Sequence, residues 1–331
     1  MDRLVGTLLG TAVGDALGLP AEGLSAADVR RRWGRLTRYR LLGPVGFVSD
    51  DTEQSALVAQ SLARHPDDPE RCAAAFRRSL VAWFWRLPWG VGLATVRACL
   101  RASFGLTPSG VASAGNGAAM RSAVVGTFFR EDAARRRSFA ETLARVTHLD
   151  PRAVQAAVFV ADVAAGAASG LSPAAAVGAA AAGVSHPELS KALARVKGLA
   201  GAGASAETAA DALGTSGYSV HTAAYAAFLF ARFGEDPRAC LEETASAGGD
   251  TDSIGAVVGG WLGALHGAAG LPEDLVAGLC GGPFGRVHLE RLGAALALKA
   301  PPPGYLWPLA LVRNLALYPV ILAHGFRRLL P

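Results

Sequence analysis

Residues 248–270 read GGDTDSIGAVVGGWLGALHGAAG, and this stretch carries the pattern that decides the fold. From residue 251 to residue 269 apolar side chains recur at intervals of three and four, the spacing of one face of a helix. Alternating β-branched runs are scarce, with weak strand candidates only at 38–42 and 46–48. The helical spacing also recurs along the rest of the chain, at about 53–64, 71–86, 117–129, 153–168, 220–233 and 285–298. We therefore predict an all-α fold in one globular domain that ends near residue 299.

Two short acidic clusters open predicted helices, SDDT at residues 49–52 and DTDS at residues 250–253. They offer only carboxylate and hydroxyl oxygens, the ligands that hard divalent cations such as Mg²⁺, Mn²⁺ or Ca²⁺ prefer. Taken singly, each cluster is equally well explained as a helix cap, because Ser, Thr and Asp satisfy the free N–H groups of a helix start. Taken together, in a chain with only 27 acidic residues out of 331, they favour a metal site.

A metal site built from both clusters requires the first and last thirds of the chain to meet in one domain. Asp250 and Asp252 can converge on one cation where a loop becomes a helix, with Ser253 beside them. If Asp50 and Asp51 approach from the other helix start, a shared carboxylate such as Asp252 bridges two ions about 3.5–4 Å apart. Carboxylates this close repel one another, so we expect the metal-free site to bind cations readily and to be partly disordered.

The charge balance and the cysteine spacing argue against several classes of partner and site. The formal net charge of +5 comes from dispersed Arg residues without a basic stripe interleaved with aromatic residues, so we expect no nucleic-acid partner. The four cysteines lie far apart and lack CxxC spacing, which argues against a zinc knuckle and a disulfide framework. The N-terminal sequence MDRLVGTLLG is too acidic for a secretory signal, and its apolar run is too short. We expect a cytoplasmic protein.

Residues 300–331 differ from the domain at 1–299 and form a Pro-rich linker and an apolar C-terminal tail. A membrane-spanning helix needs about 20 apolar residues. The apolar stretch at 305–330 is interrupted by Pro308, Arg313, Asn314 and Pro319. We favour a tail helix packed on the domain over interfacial contact with a membrane, and we favour a true span least. Because the tail lies beyond every motif named here, we expect its deletion to leave turnover within a few-fold.

Five motifs in order make the chain similar to the ADP-ribosylglycohydrolases, the family of dinitrogenase reductase-activating glycohydrolase. They cover roughly residues 4 to 270. The motifs are GTAVGDALG at 10–18 followed by Glu22, SDDT at 49–52, GNGAAMR at 115–121, THLDP at 147–151 and GGDTDS at 248–253. The resemblance implies a single compact orthogonal helical domain of the ADP-ribosylglycohydrolase type, followed here by the apolar tail.

The resemblance also implies two Mg²⁺ ions, replaceable by Mn²⁺, at the base of an ADP-ribose cleft. The metal ligands are then Ser49, Asp50, Asp51, Asp250, Asp252 and Ser253. Ser49 and Ser253 stand where the family usually has Thr; both keep the hydroxyl oxygen that a metal needs, but they lose a methyl group that stiffens the rotamer. Glu22 is the candidate catalytic acid or base, and its alternative interpretation is an exposed Glu in a turn.

Residues of two further motifs are predicted to contact the substrate. Gly115, Asn116 and Gly117 precede a predicted helix, where successive backbone N–H groups can hold a diphosphate or a ribose. Met120 and His148 are the other predicted contacts, although a core histidine is an equal alternative for His148. The following Arg121 is as well explained by a structural salt bridge as by a ligand contact.

These features together predict a Mg²⁺-dependent hydrolase that cleaves the glycosidic bond at the anomeric carbon of the ADP-ribose ribose. The expected partner is an ADP-ribosylated protein side chain or small molecule. The alternative is a non-catalytic member of the same family that binds ADP-ribose or serves only as a scaffold, as crystallins do. The linkage that is cleaved cannot be predicted, because loops line the side of the cleft that faces the acceptor.

Overall fold

Side-chain caps fix where many of the helices begin. Ser25, Asp68, Asp132, Ser172 and Asp236 each accept a hydrogen bond from the backbone N–H three residues further on. Such caps satisfy N–H groups that have no partner inside the helix. After Asp68, Ser172 and Asp236 the next residue is Pro, whose fixed φ suits the first helical position.

The computed structural model describes residues 1–328; residues 329–331, the end of the predicted tail, lie outside the described part. The described chain forms seventeen α-helices, which confirms the all-α prediction. They are α1 Asp2–Gly18, α2 Ala26–Trp33, α3 Asp50–Arg64, α4 Pro69–Phe84, α5 Leu93–Ser103, α6 Ala123–Phe128, α7 Ala133–Arg145, α8 Pro151–Ala168, α9 Pro173–Ala182, α10 Pro187–Gly201, α11 Ala206–Leu213, α12 Ser219–Phe233, α13 Pro237–Ser246, α14 Thr251–His266, α15 Glu273–Gly278, α16 Arg286–Leu298 and α17 Trp307–Arg328.

The two weak strand candidates do not form strands in the described chain. They lie in the connection between α2 and α3, where Leu42 pairs with Val45 and Gly46 pairs with Leu279 in isolated bridges. Single pairs of this kind tie the connection to the domain without building a sheet.

Helices α1 and α14 come from opposite ends of the domain sequence and pack antiparallel, backbone against backbone. A Cβ atom added to Gly10 would lie 2.0 Å from the carbonyl oxygen of Gly259, and one added to Gly14 would lie 1.9 Å from that of Gly255. Gly6 faces Gly263 and Gly18 faces Thr251 in the same way. This register places the end of α1 beside the start of α14.

A buried aromatic cluster holds the far side of α14. Trp261 packs against Phe159 of α8 and Phe230 of α12, with ring centroids 6.2 and 5.5 Å apart. Its indole N–H donates to the carbonyl oxygen of Val160 over 2.9 Å. The indole is therefore both packed and hydrogen-bonded, as a buried Trp requires, and α14 is fixed from two sides.

Helix α1 is also apolar along most of its length. Together with the short 3₁₀ turn that follows, Asp2–Ala21 has a mean hydropathy of 1.4, and by length and composition alone it passes as a membrane span. However, 94% of its apolar window is buried inside the domain. Such burial is typical of a core helix, which is the position that the packing with α14 gives it.

Candidate metal centre and ligand cleft

All but one of the predicted site residues line a single cleft of about 340 Å³. They are Glu22, Asp50, Asp51, Gly115, Asn116, Gly117, Met120, His148, Asp250, Asp252 and Ser253. The remaining wall is formed by Gly90, Gly92, Leu93, Ala94, Thr95, Ser113 and Gly217. The packing of α1 on α14 brings Glu22, which follows α1, close to Asp250 and Asp252 at the start of α14.

Ser49 is buried and contacts Asp51. As the N-cap of α3, its hydroxyl oxygen accepts from the backbone N–H of Asp51 over 3.2 Å and lies 3.0 Å from the carboxylate, to which it donates. In this structure Ser49 therefore caps the helix and orients Asp51. Its direct role as a metal ligand stays a prediction.

Asp250 stands at the cap position of α14, but its side chain makes no capping hydrogen bond. Its carboxylate instead accepts from the side-chain amide of Asn116 and lines the cleft. The preceding Gly249 has φ +84°, and a Cβ there would lie 2.2 Å from the hydroxyl oxygen of Thr215, so only Gly suits this tight approach. Capping alone therefore does not explain Asp250.

The oxygens of this cluster fit a hard divalent cation. Glu22, Asp250 and Asp252 each offer one carboxylate oxygen, and these three atoms lie within 4.8 Å of one another. Asp51 Oδ1 and Asp252 Oδ1 are buried and have no hydrogen-bond partner. A buried carboxylate oxygen without a partner is costly. A cation bound among all-oxygen ligands would remove that cost.

Burial and mutual repulsion raise the pKa values of the clustered carboxyl groups. The pKa values of Asp50, Asp51 and Asp252 lie well above the ordinary value, first through burial and then through neighbouring carboxylates. Burial raises the pKa of Asp250 to about 6, although the hydrogen bond from Asn116 lowers it in part. The carboxyl groups of the cluster therefore tend to hold protons unless a cation neutralises their charge.

Asp15, for which the sequence pattern predicted no role, holds the first acidic cluster in place. It is fully buried on α1 and accepts from the backbone N–H groups of Ser49 and Thr52 over 2.9 and 3.2 Å, and from the Thr52 hydroxyl. Burial raises the pKa of Asp15 to about 7 against the effect of these donors. An Asp within an otherwise apolar buried helix is itself a signal, since buried acids are rare unless paired.

A chain of buried polar side chains joins Asp50 to His148. Gln54 donates to Asp50 over 2.8 Å, and Arg121 donates to the Gln54 side-chain oxygen over 2.9 Å and to the Thr147 hydroxyl over 2.7 Å. None of the Arg121 hydrogen bonds in the described structure reaches a carboxylate. Arg121 is thus a buried link between two walls of the cleft and not the predicted salt-bridge partner, while the predicted ligand contact stays a prediction.

His148 lies at the end of that chain. Its Nδ1 is 2.7 Å from the Thr147 hydroxyl, and burial together with Arg121 lowers the His148 pKa to about 3. The ring is therefore neutral at physiological pH. It offers a ligand a hydrogen bond rather than a charge.

The Gly115–Gly117 turn lies directly beside the acidic cluster. The backbone N–H groups of Gly115 and Asn116 already donate to the Ser113 hydroxyl and to the Gly217 carbonyl, over 3.2 and 3.0 Å. The Asn116 amide bridges Asp250 and the Thr222 hydroxyl. In this structure the turn positions Asp250, while its use as a cradle for diphosphate or ribose stays a prediction.

Comparisons with known proteins agree with this architecture. A family model described as ADP-ribosylglycohydrolase matches residues 1–304. An uncharacterized protein of Archaeoglobus fulgidus is 32% identical over 313 residues, 87% of this chain and 94% of that protein. The ADP-ribosyl-(dinitrogen reductase) glycohydrolase of Rhodospirillum rubrum is 32% identical over 130 residues, 36% of this chain and 42% of that protein.

The fold has a solved counterpart of similar size. A structure described as an ADP-ribosylglycohydrolase-related protein complex superposes with a TM-score of 0.70 at 28% identity, covering 90% of this chain and 98% of that chain. The family model reaches from the first residue through α16, and the structural match extends over the same helical architecture. The chain therefore belongs to the ADP-ribosylglycohydrolase family.

Proposed function

We propose that this protein is a Mg²⁺-dependent hydrolase that cleaves the glycosidic bond at the anomeric carbon of the ADP-ribose ribose, releasing ADP-ribose from a protein side chain or small molecule. One observation carries the proposal. The carboxylates of two helix starts and of Glu22 line one cleft, and Asp51 and Asp252 each keep a buried oxygen without a partner. A pure scaffold gains nothing from the cost of such a cluster.

The residues that would hold two cations are Ser49, Asp50, Asp51, Asp250, Asp252 and Ser253, and Ser49 also orients Asp51. When bound, Mg²⁺ or Mn²⁺ supplies Lewis-acid positions for the oxygens of a ribose diol. Two side chains of the protein keep the metal-binding carboxylates in place. Asp15 accepts from the turn that carries Asp50 and Asp51, and Asn116 donates to Asp250.

Glu22 is the group proposed for proton transfer. Cleavage at an anomeric carbon passes through an oxocarbenium-like state and needs a carboxyl group that gives or takes a proton. Glu22 lines the cleft, is only partly buried and lies within reach of Asp250 and Asp252. A proton held at its Oε atom can therefore pass to or from a substrate bound against the acidic cluster.

The test is a panel of ADP-ribose substrates linked through Arg, Ser, an acetyl ester and a nucleic-acid end. We expect release of ADP-ribose from at least one linkage with Mg²⁺ or Mn²⁺, none in excess chelator, and no restoration by Zn²⁺, because the proposed ligands are all oxygens. Full activity in chelator with no metal retained contradicts the proposed metal dependence. Tight Mg²⁺-dependent binding of ADP-ribose without turnover of any substrate supports the non-catalytic alternative.

A further inference from the structure

One wall of the cleft is an irregular segment, residues 85–92, between α4 and α5. Gly90 and Gly92 line the cleft, and a Cβ added to Gly90 would lie 3.2 Å from Asp50 Oδ1. Leu87 and Gly90 have φ values of 55° and 81°, so this backbone is held in a conformation that L residues rarely adopt. Backbone hydrogen bonds from Trp85, Arg86 and Leu87 to the last turn of α4 hold the start of the segment, so residues 88–92 need support from outside to keep their position beside Asp50.

Helix α17 provides contacts of that kind. Asn314 is fully buried, and its side-chain amide donates to the carbonyl oxygen of Arg86 over 2.9 Å. The Tyr318 hydroxyl donates to the carbonyl oxygen of Pro88 over 3.4 Å. Leu317 packs with Trp89 in a small buried cluster that is separate from the main core. Helix α17 thus contacts Arg86, Pro88 and Trp89, three of the four residues before Gly90.

A second set of contacts joins α17 to the first turn of α3. Glu53 is buried two residues after Asp51 and accepts from the Trp83 indole over 2.6 Å and from Arg86 over 3.0 Å. The Arg313 guanidinium contacts the other Glu53 oxygen and also donates to the carbonyl oxygen of Pro283 over 2.8 Å. The helix therefore contacts both the irregular segment and the helix that carries Asp50 and Asp51.

We infer that α17, which lies beyond the residues matched by the family model, is a positioning element that fixes the 85–92 wall of the cleft against Asp50, with Asn314 and Tyr318 as its positioning residues. This goes beyond the expectation that deletion of the tail leaves turnover within a few-fold, because it gives α17 an effect on substrate affinity. The effect on substrate affinity rests on the proposed function, whereas the effect on the wall does not.

The test uses the full-length chain with Asn314→Leu, which keeps the number of side-chain heavy atoms and their branching but removes the donor to the Arg86 carbonyl and the oxygen that accepts from Arg313. The milder variant is Tyr318→Phe, which removes the donor to the Pro88 carbonyl. The matched control is Leu315→Ala, since Leu315 neighbours Asn314 but is 50% exposed on the outer side of α17. Backbone hydrogen–deuterium exchange is followed in residues 85–92 and in α8. We expect exchange in 85–92 to rise about tenfold for Asn314→Leu, as for the loss of one buried hydrogen bond, with α8 and the control unchanged.

Kinetics on a cleaved substrate separate positioning from general destabilisation. A displaced wall weakens ligand binding, so we expect KM to rise about tenfold with kcat within about threefold. Partial unfolding would instead lower kcat at unchanged KM. Unchanged exchange in 85–92, or an equal rise in α8, overturns the inference. If the wild-type chain cleaves none of the substrates, the proposed function fails while the exchange measurement still decides the role of α17.

Discussion

Asp252 and Glu22 share one acidic cluster, but their carboxylates lie in different surroundings. Asp252 is buried, and one of its oxygens has no hydrogen-bond partner, which suits a group that binds metal. Glu22 is only partly buried at the end of the 3₁₀ turn that follows α1, which suits a group that meets the substrate. Ligation and proton transfer are therefore separable by single substitutions.

Glu22→Gln keeps one side-chain oxygen beside Asp250 and Asp252, so it should keep cation and ADP-ribose binding. Turnover should fall by about 10²-fold or more, the usual cost of losing a general acid–base group. The comparison is Asp252→Asn, which should lose cation binding and activity together. Calorimetric titration with Mn²⁺ and with ADP-ribose, beside a turnover assay, measures both. Near-normal turnover in Glu22→Gln would mean that another group transfers the proton.

Asp15→Asn should weaken Mn²⁺ binding about 10–100-fold, although Asp15 does not line the cleft. Asp15 accepts three hydrogen bonds from the turn that presents Asp50 and Asp51, and an amide replaces one accepting oxygen with a donor. Thr52→Ser keeps the hydroxyl donor and is the control, with affinity expected near that of the wild type. Equal Mn²⁺ affinity in Asp15→Asn and the wild type would contradict this positioning role.

At the scale of single residues, all the site residues that the sequence motifs predicted line the cleft except Ser49, which does not. The roles of Asp15, Gln54 and Arg121 could not be predicted in the same way. Their partners are distant in sequence: Asp15 contacts Thr52, and Arg121 contacts Gln54 and Thr147. Only the packed fold brings such pairs together.

At the scale of elements, the glycine register of α1 and α14 sets the position of the site. Because the two backbones touch at Gly10 with Gly259 and at Gly14 with Gly255, the ends of the helices meet at Gly18 and Thr251. A wider separation would move Glu22 away from Asp250. Close packing here is therefore a requirement of the metal centre as well as of the core.

Gly14→Ala should lower the free energy of unfolding by about 1–3 kcal/mol or more, because the added methyl group would meet the Gly255 carbonyl rather than a flexible side chain. Gly198→Ala is the matched control: Gly198 lies in α10 with nothing within 4 Å of an added Cβ, so Ala should stabilise the protein by about 0.4–1 kcal/mol. Urea denaturation followed by circular dichroism measures both. A neutral Gly14→Ala would show that the helices are not in backbone contact.

Periodicity predicted α3, α4, α8, α12, α14 and α16 to within about three residues at either end, but it could not predict where a helix is interrupted. The segment at 117–129 was predicted as one helix, and the structure instead has a 3₁₀ turn, Asn116–Ala118, before α6. The turn is held by Asn116, whose backbone and side chain contact Gly217, Thr222 and Asp250. Tertiary hydrogen bonds, absent from the local pattern, decide the conformation there.

At the scale of the whole molecule, the cluster links stability to pH and to cations. The pKa of Asp15 is raised from 3.8 to about 7 and that of Asp250 from 3.8 to about 6. The folded chain therefore binds more protons than the unfolded chain at pH values between the ordinary pKa of 3.8 and these raised pKa values. The stabilising effect of these protons is lost as pH rises through that range. His148 acts in the opposite direction, because its pKa is lowered to about 3.

The difference between the Tm values with and without Mn²⁺ separates the effect of the carboxylates on stability from that of His148. Mn²⁺ competes with the protons of the cluster, so this difference should be small at pH 5 and should grow toward pH 8. Differential scanning fluorimetry across that range measures it, and Asp252→Asn should abolish it. A difference that is independent of pH would show that Mn²⁺ binds elsewhere.

The contacts of α17 could be predicted from the sequence only in part. Its apolar composition favoured a packed helix, but the sequence could not reveal that Arg313 would reach Glu53 beside the acidic cluster. Their separation along the chain spans most of the domain, and only the packed molecule places the two side chains together.

The most direct test of the account is anomalous diffraction at the manganese edge from crystals grown with Mn²⁺. We predict two anomalous peaks about 3.5–4 Å apart between the starts of α3 and α14, with Asp252 contacting both ions. Their remaining protein ligands should be oxygens of Ser49, Asp50, Asp51, Asp250 and Ser253. An empty cleft at millimolar Mn²⁺, or ions bound only outside it, would contradict the claim that the two acidic clusters form one metal centre.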